Sequence, residues 1–257
     1  MREETSLSLP PRRLIGWEIF VVFAVSLGAS GVGALIELIG SLTAPQSLGQ
    51  QKALLVGTLA PGRPLLDLVL QLLSIAEGLA PVALVFYLLA RSGEGPADLG
   101  ADGREPGRDF ARGAVIAAVI GGTGLGLYLI AFNIGINLTV VPESLPALWW
   151  RIPVLVLNAA QNGILEEILV IGFLLRRLDQ LGWTPWKAIV FSAVLRGSYH
   201  LYQGFGGFLG NAAMGLIFGY LYKRWGRVLP LIIAHTLIDT VAFVGYAALH
   251  GRVSWLP

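Results

Sequence analysis

Apolar residues run in long blocks along this chain, near 15–41, 65–90, 113–136, 150–175, 187–203, 207–223 and 228–249. A helix rises ~1.5 Å per residue, so about 20 residues cross ~30 Å of hydrocarbon. The blocks therefore predict an all-α, polytopic transmembrane helical bundle of about seven spans. The first block is long enough to divide near its glycines, which would make eight. The fifth and sixth are short and are separated by the turn-like stretch Gln203-Gly204-Phe205-Gly206-Gly207. Between blocks, segment 42–64, with Pro45, Pro61 and Pro64, reads as the largest external connection. Segment 91–112 is rich in Gly, Pro and charge and reads as a solvated cytoplasmic loop acting as a connector. No stretch is left to bury a separate aqueous core, so residues 1–257 form a single integral membrane domain.

Composition agrees. The chain is 55% hydrophobic and 13% charged, against about a quarter charged in soluble domains. With no cysteine, disulfides and thiolate metal sites are excluded, and a metal would have to sit on His, Asp or Glu. The net charge is +2 and the basic residues are spread over several loops, which gives nucleic-acid binding no footing. Their placement also sets orientation, because Lys and Arg concentrate in cytoplasmic loops. One side receives 13 (Arg2, Arg12, Arg13, Arg91, Arg104, Arg108, Arg112, Arg176, Arg177, Lys187, Lys223, Arg224, Arg227) and the other 4 (Lys52, Arg63, Arg151, Arg252), with Arg196 inside a span. The N-terminus is expected in the cytoplasm and the C-terminus outside. Glu3 and Glu4 beside the first arginines, and the length of the first block, argue for a retained helix rather than a signal peptide. A basic set of 15 Arg and 3 Lys points to a GC-rich bacterial genome, hence a bacterial plasma membrane. Trp149, Trp150, Trp183 and Trp186 sit at span ends as interfacial anchors.

The chemistry gathers in the last four blocks. Glu166 and Glu167 interrupt the fourth, and ionisable groups inside a span are by default functional. Asn158, Asn162 and Glu166 recur every four residues with Gln161 beside them, forming one polar stripe. Glu167 lies about 100° round from Glu166, so the two carboxylates cannot do the same job. His235 and Asp239 share a helix face. Glu166 and His235 come out level, roughly 15 and 12 Å from the basic boundary, whereas His200 comes out near 20 Å unless Gly197 breaks or tilts its helix. Asn158, Asn162 and Asn211 read as interhelical hydrogen-bonding residues. Glu18, Glu37 and Asp67 are near enough to span ends to be solvated, and Glu77 is not. Tyr199, Tyr202, Tyr220 and Tyr222 read as packing and interface residues, and His250 as exposed.

A buried carboxylate with imidazoles around it suits hydrolysis: the acid takes a proton from water while histidines orient the water or stabilise an oxyanion. Glu166, His200 and His235 could instead hold a divalent metal such as Zn. In order and spacing, Glu166-Glu167, then His200, then His235 through Asp239 resemble the CAAX protease and bacteriocin-processing (CPBP) group, which includes the type II CAAX prenyl endopeptidases. That group carries Glu-Glu-x-x-x-Arg, Phe-x-x-x-His and His-x-x-x-Asn/Asp on successive helices, and the likeness covers about residues 150–245. The resemblance implies an intramembrane endopeptidase acting on a peptide or membrane-protein substrate in the bilayer, with a cavity opening toward the cytoplasm. By the same resemblance Glu166 and His200 would activate water, His235 and Asp239 would stabilise the oxyanion, and Glu167 would assist or be structural. Two positions depart from the pattern: Ile171 stands where the group has Arg, and Arg196 where it has Phe. Arg196 is therefore expected to replace the missing Arg as counter-ion to Glu167, with Asn162 in support. A carrier binding ions at Glu77, Glu166, Glu167 and Asp239, or a non-catalytic scaffold or immunity-type member, are the alternatives.

Overall fold

A computed structural model describes residues 10–253, so Arg2, Glu3 and Glu4 of the orientation argument lie outside the described residues. The first apolar block divides as its length allowed, into α1 (Arg12–Ala24) and α2 (Leu27–Thr43), bent by 49°. At the bend the Ser26 hydroxyl donates to the Val22 carbonyl at 2.5 Å, taking up a backbone acceptor that a straight helix would use. Then come α3 (Pro64–Gly78), α4 (Ala80–Arg91) and α5 (Pro106–Asn133). α6 (Arg151–Glu166) runs through a π-helical segment, Glu167–Phe173, into α7 (Leu174–Gln180). α8 (Pro185–Ser198), α9 (Phe205–Trp225) and α10 (Leu229–Leu249) complete the bundle. Proline in the first turn of α3, α4, α5, α8 and α10 costs nothing there, where its N–H would have had no helical partner.

Among the described residues, five helices are long and apolar enough to cross a membrane (64–91, 106–133, 151–180, 205–225 and 229–249), or six with the bent pair. The expected seven or eight is not reached, mainly because of the fifth block. There α8 stops after 14 residues, about 21 Å of rise where ~30 Å is needed. The all-α expectation also gives way at one end, where β1 (Lys52–Val56) pairs in parallel with β2 (Thr139–Glu143), Lys52 opposite Thr139 and Val56 opposite Glu143. Five-residue strands without strict alternation, joined across a long separation, leave no local signal.

This ribbon caps one end of the bundle; arginines crowd the other. At the basic end Arg177 is fully buried between Glu18, at 3.0 Å, and Glu94, at 2.8 Å. Arg227 binds Asp109 and, at 3.0 Å, Asp102, while the Val228 N–H donates to the Leu99 carbonyl at 3.0 Å. The 91–112 segment is thus more than a solvated connector: Ser92, Glu94, Leu99 and Asp109 are buried. Glu18 and Asp67 are buried rather than solvated, Asp67 accepting from the Thr58 hydroxyl at 2.6 Å and the Leu59 N–H at 2.9 Å. Glu37 and His250 are exposed. Ile168–Leu175 fills the centre, while Val32, Ile36, Leu65, Val69, Val115, Val119 and Val241 face outward, as a lipid-facing surface requires.

Candidate active site

α6 and α10 cross closely because small residues permit it. A Cβ on Gly163 would lie 2.6 Å from Thr236 Oγ1 and 3.1 Å from the Ile232 carbonyl. This contact sets Glu166, one turn further along α6, beside His235, one turn short of Asp239 on α10. α8 delivers the third group. Gly197 lets its last turn abut α9, where a Cβ would come within 2.8 Å of Phe208. The helix then stops at Ser198, and His200 sits in the turn beyond it. That early stop resolves the depth mismatch expected for His200. The Leu138 N–H donates to Gln203 at 3.0 Å and the Phe205 N–H to Ile136 at 3.1 Å, so the chain leading into β2 holds the turn.

The two adjacent carboxylates diverge. Glu167 is fully buried and takes both arms of Arg196, Nη2 to Oε1 at 2.6 Å and Nη1 to Oε2 at 3.2 Å. Its Oε1 also lies 2.7 Å from His235 Nδ1. Glu167 has only acceptors when ionised, so we assign a proton to His235 Nδ1, while Nε2 faces the site. Glu166 accepts from the Tyr199 hydroxyl at 2.8 Å through Oε2, which is 3.3 Å from Arg196 Nη2. Its Oε1 is 4.0 Å from His200 Nε2, too far for a direct hydrogen bond and a span that one water can bridge. His200 Nδ1 lies 3.0 Å from the Arg196 carbonyl, which can only accept. Nδ1 therefore carries the proton, and the lone pair on Nε2 points toward Glu166. On the ribbon side, Asp239 Oδ2 accepts from Asn162 at 3.2 Å and lies 3.6 Å from His235 Nε2.

The structure therefore brings Glu166, Glu167, Arg196, His200, His235, Asp239 and Asn162 into one cluster. Asn158 and Asn211 do not join helices; each donates to a carbonyl of its own helix, Val154 and Gly207 at 3.0 Å. Nor does the cluster open toward the basic end. Ile168–Leu175 and Leu99 are buried there, whereas the Asp239 and His200 side chains keep 20% and 13% of their exposure on the ribbon side. Tyr199 was missed, since its spacing marks it only as a neighbour of His200. The π-helical segment left no trace in the apolar run that encodes it.

A metal does not fit these residues. Among those described, no three His, Cys, Asp or Glu side chains assemble as a ligand set. The Arg196 guanidinium lies 3.1 Å from His235 Nδ1 and 3.3 Å from Glu166 Oε2, so a divalent ion beside those two residues would meet a fixed positive charge. The alternative of a Zn-like ion on Glu166, His200 and His235 therefore gains no support.

The family model described as type II CAAX prenyl endopeptidase Rce1-like covers residues 148–241, the stretch that holds every cluster residue. No curated protein and no solved structure matches the chain. With its apolar helices, the chain is an integral membrane protein. Over residues 148–241 the chain is similar to the Rce1-like group of type II CAAX prenyl endopeptidases, a likeness that covers about a third of its length.

Proposed function

We propose that this protein is an intramembrane endopeptidase in which Glu166 and His200 activate one water. The observation that carries this reading is the 4.0 Å gap between Glu166 Oε1 and His200 Nε2. Both atoms are acceptors, so a water between them donates to both and turns its lone pair toward a substrate carbonyl. Glu166 takes one proton as the water oxygen bonds to the carbonyl carbon, and the oxyanion faces His235 Nε2. Collapse breaks the C–N bond, and Glu166 returns its proton to the leaving amine, as a general acid–base group must. With Glu167 on Nδ1 and Asp239 3.6 Å from Nε2, His235 carries a proton on each ring nitrogen, and its Nε2–H donates to the oxyanion. An ionised Asp239 cannot itself donate to the oxyanion; the Asn162 amide beside it can.

The substrate is a peptide segment held at the membrane, reaching the cluster from the ribbon side. With the Lys and Arg asymmetry placing the basic end in the cytoplasm, that side faces out. The family match favours this reading over an ion-coupled carrier, and two of the four acids a carrier would load already have partners, Glu167 in Arg196 and Asp239 in Asn162. The test is cleavage of a membrane-peptide library by purified protein in lipid nanodiscs. Glu166→Gln and His200→Ala are each expected to lower turnover by 10²–10⁴-fold, the usual worth of a general base, with unchanged thermal unfolding. Cleavage that survives both substitutions would sink the assignment.

A further inference from the structure

Glu77 is the intramembrane acid that the cluster does not use. It lies midway along the 28-residue apolar helix 64–91, about 20 Å from either end. Its side chain is exposed beside Ala76 and exposed Leu72 and Leu73, so it looks out onto lipid. Among the described residues it makes no hydrogen bond or ion pair, and Ser74, one turn away, is exposed on the same face. The adjoining helix supplies a second unmatched group. Gln161 of α6 packs at the level of Gly78, where a Cβ would meet its Nε2 at 2.7 Å, and this half-buried amide is also without a hydrogen bond among the described residues. A carboxylate and an amide left open at mid-bilayer depth need a partner that lipid tails cannot supply.

We propose that the α3 face bearing Ser74 and Glu77 docks a transmembrane helix of another protein that carries one basic side chain near its midpoint. Charge complementarity selects the basic residue, and depth selects a spanning helix, since head groups lie too far away. A second copy of this chain does not fit. Arg196, the basic residue of the central cluster, is fully buried on Glu167, and a two-fold contact would set Glu77 against Glu77.

The experiment uses the full chain in lipid vesicles with labelled Leu/Ala-rich transmembrane peptides, one with Lys at its centre and one with Leu there, read by energy transfer. The Lys peptide should associate about three- to twentyfold more tightly, the range of interhelical polar contacts in bilayers. Glu77→Gln and Glu77→Leu should each remove that preference without changing the thermal midpoint. Equal binding of the two peptides overturns the proposal, as does a Lys preference that persists in Glu77→Leu. Energy transfer between copies of the chain itself, lost in Glu77→Leu, overturns it in favour of self-association.

Discussion

Arg196 shows how a single exchanged side chain reorganises a site. Its guanidinium is fully buried, holds Glu167 by two contacts, and reaches Glu166 and His235 as well. Ile171, at the position where the family motif has its Arg, is fully buried in apolar surroundings. The cation that serves Glu167 thus comes from α8 rather than from the helix of the carboxylates. Removing one partner of a buried pair strands the other charge and costs about 3–5 kcal/mol. Arg196→Phe should therefore lose roughly that much stability in chemical denaturation, and cleavage with it. Combining it with Ile171→Arg restores the family arrangement and should recover a substantial part of both. A double variant no better than Arg196→Phe would show that Arg196 has a task beyond pairing with Glu167. This pairing was readable in the sequence because Arg196 is four residues before His200 and thus on a face directed at the glutamates. The Tyr199 contact was not, because it depends on α8 ending at Ser198, one residue before it.

At the scale of elements, the crossing of α6 over α10 decides whether Glu166 and His235 meet. Gly163 fixes that crossing, since a Cβ there lies within 3.1 Å of backbone atoms of α10 as well as 2.6 Å from Thr236 Oγ1. Gly163→Leu must push the helices apart. Overpacking of this kind costs about 1–3 kcal/mol, but a displacement near 1 Å at the chemistry can cost about 10²-fold in rate. Turnover should thus fall far more than the thermal midpoint. Thr236→Ala in the same chain should restore little, because the backbone contacts remain; full rescue would place the clash in the Thr236 hydroxyl alone. Helical periodicity showed the elements that carry the site, and the Asn162-to-Glu166 stripe showed the face. It could not show the π-helical turn at Glu167–Phe173, which changes the register after Glu166 within an unbroken apolar run. It likewise could not show the β1–β2 ribbon, whose pairing is purely long-range.

Across the whole molecule, the basic end works as a latch beneath the site. Leu99 packs under the π-helical segment, 3.1 Å from where a Cβ on Gly172 would lie, and Gly100, in a left-handed conformation, abuts Gly226 and Arg227. Asp102 ties this loop down by accepting from Arg104 Nε at 2.8 Å and from Arg227 Nη1 at 3.0 Å. Apolar blocks placed the bundle, but a loop rich in Gly and charge gave no sign of closing it, because each contact joins residues far apart in sequence. The Arg104 hydrogen bond, helped by Arg227, holds the Asp102 carboxyl below the usual carboxylate range. A carboxyl whose pKa is depressed on folding adds stability above its unfolded value, about 3.9, and loses it as pH falls through the folded value. The latch is therefore intact at neutral pH and weakens only in strong acid. Asp102→Asn should lower the thermal midpoint at pH 7, and the gap from the parent chain should close as the buffer is taken below pH ~4. A gap that stays constant from pH 7 down to strong acid would mean that the Asp102 charge takes no part in holding the loop.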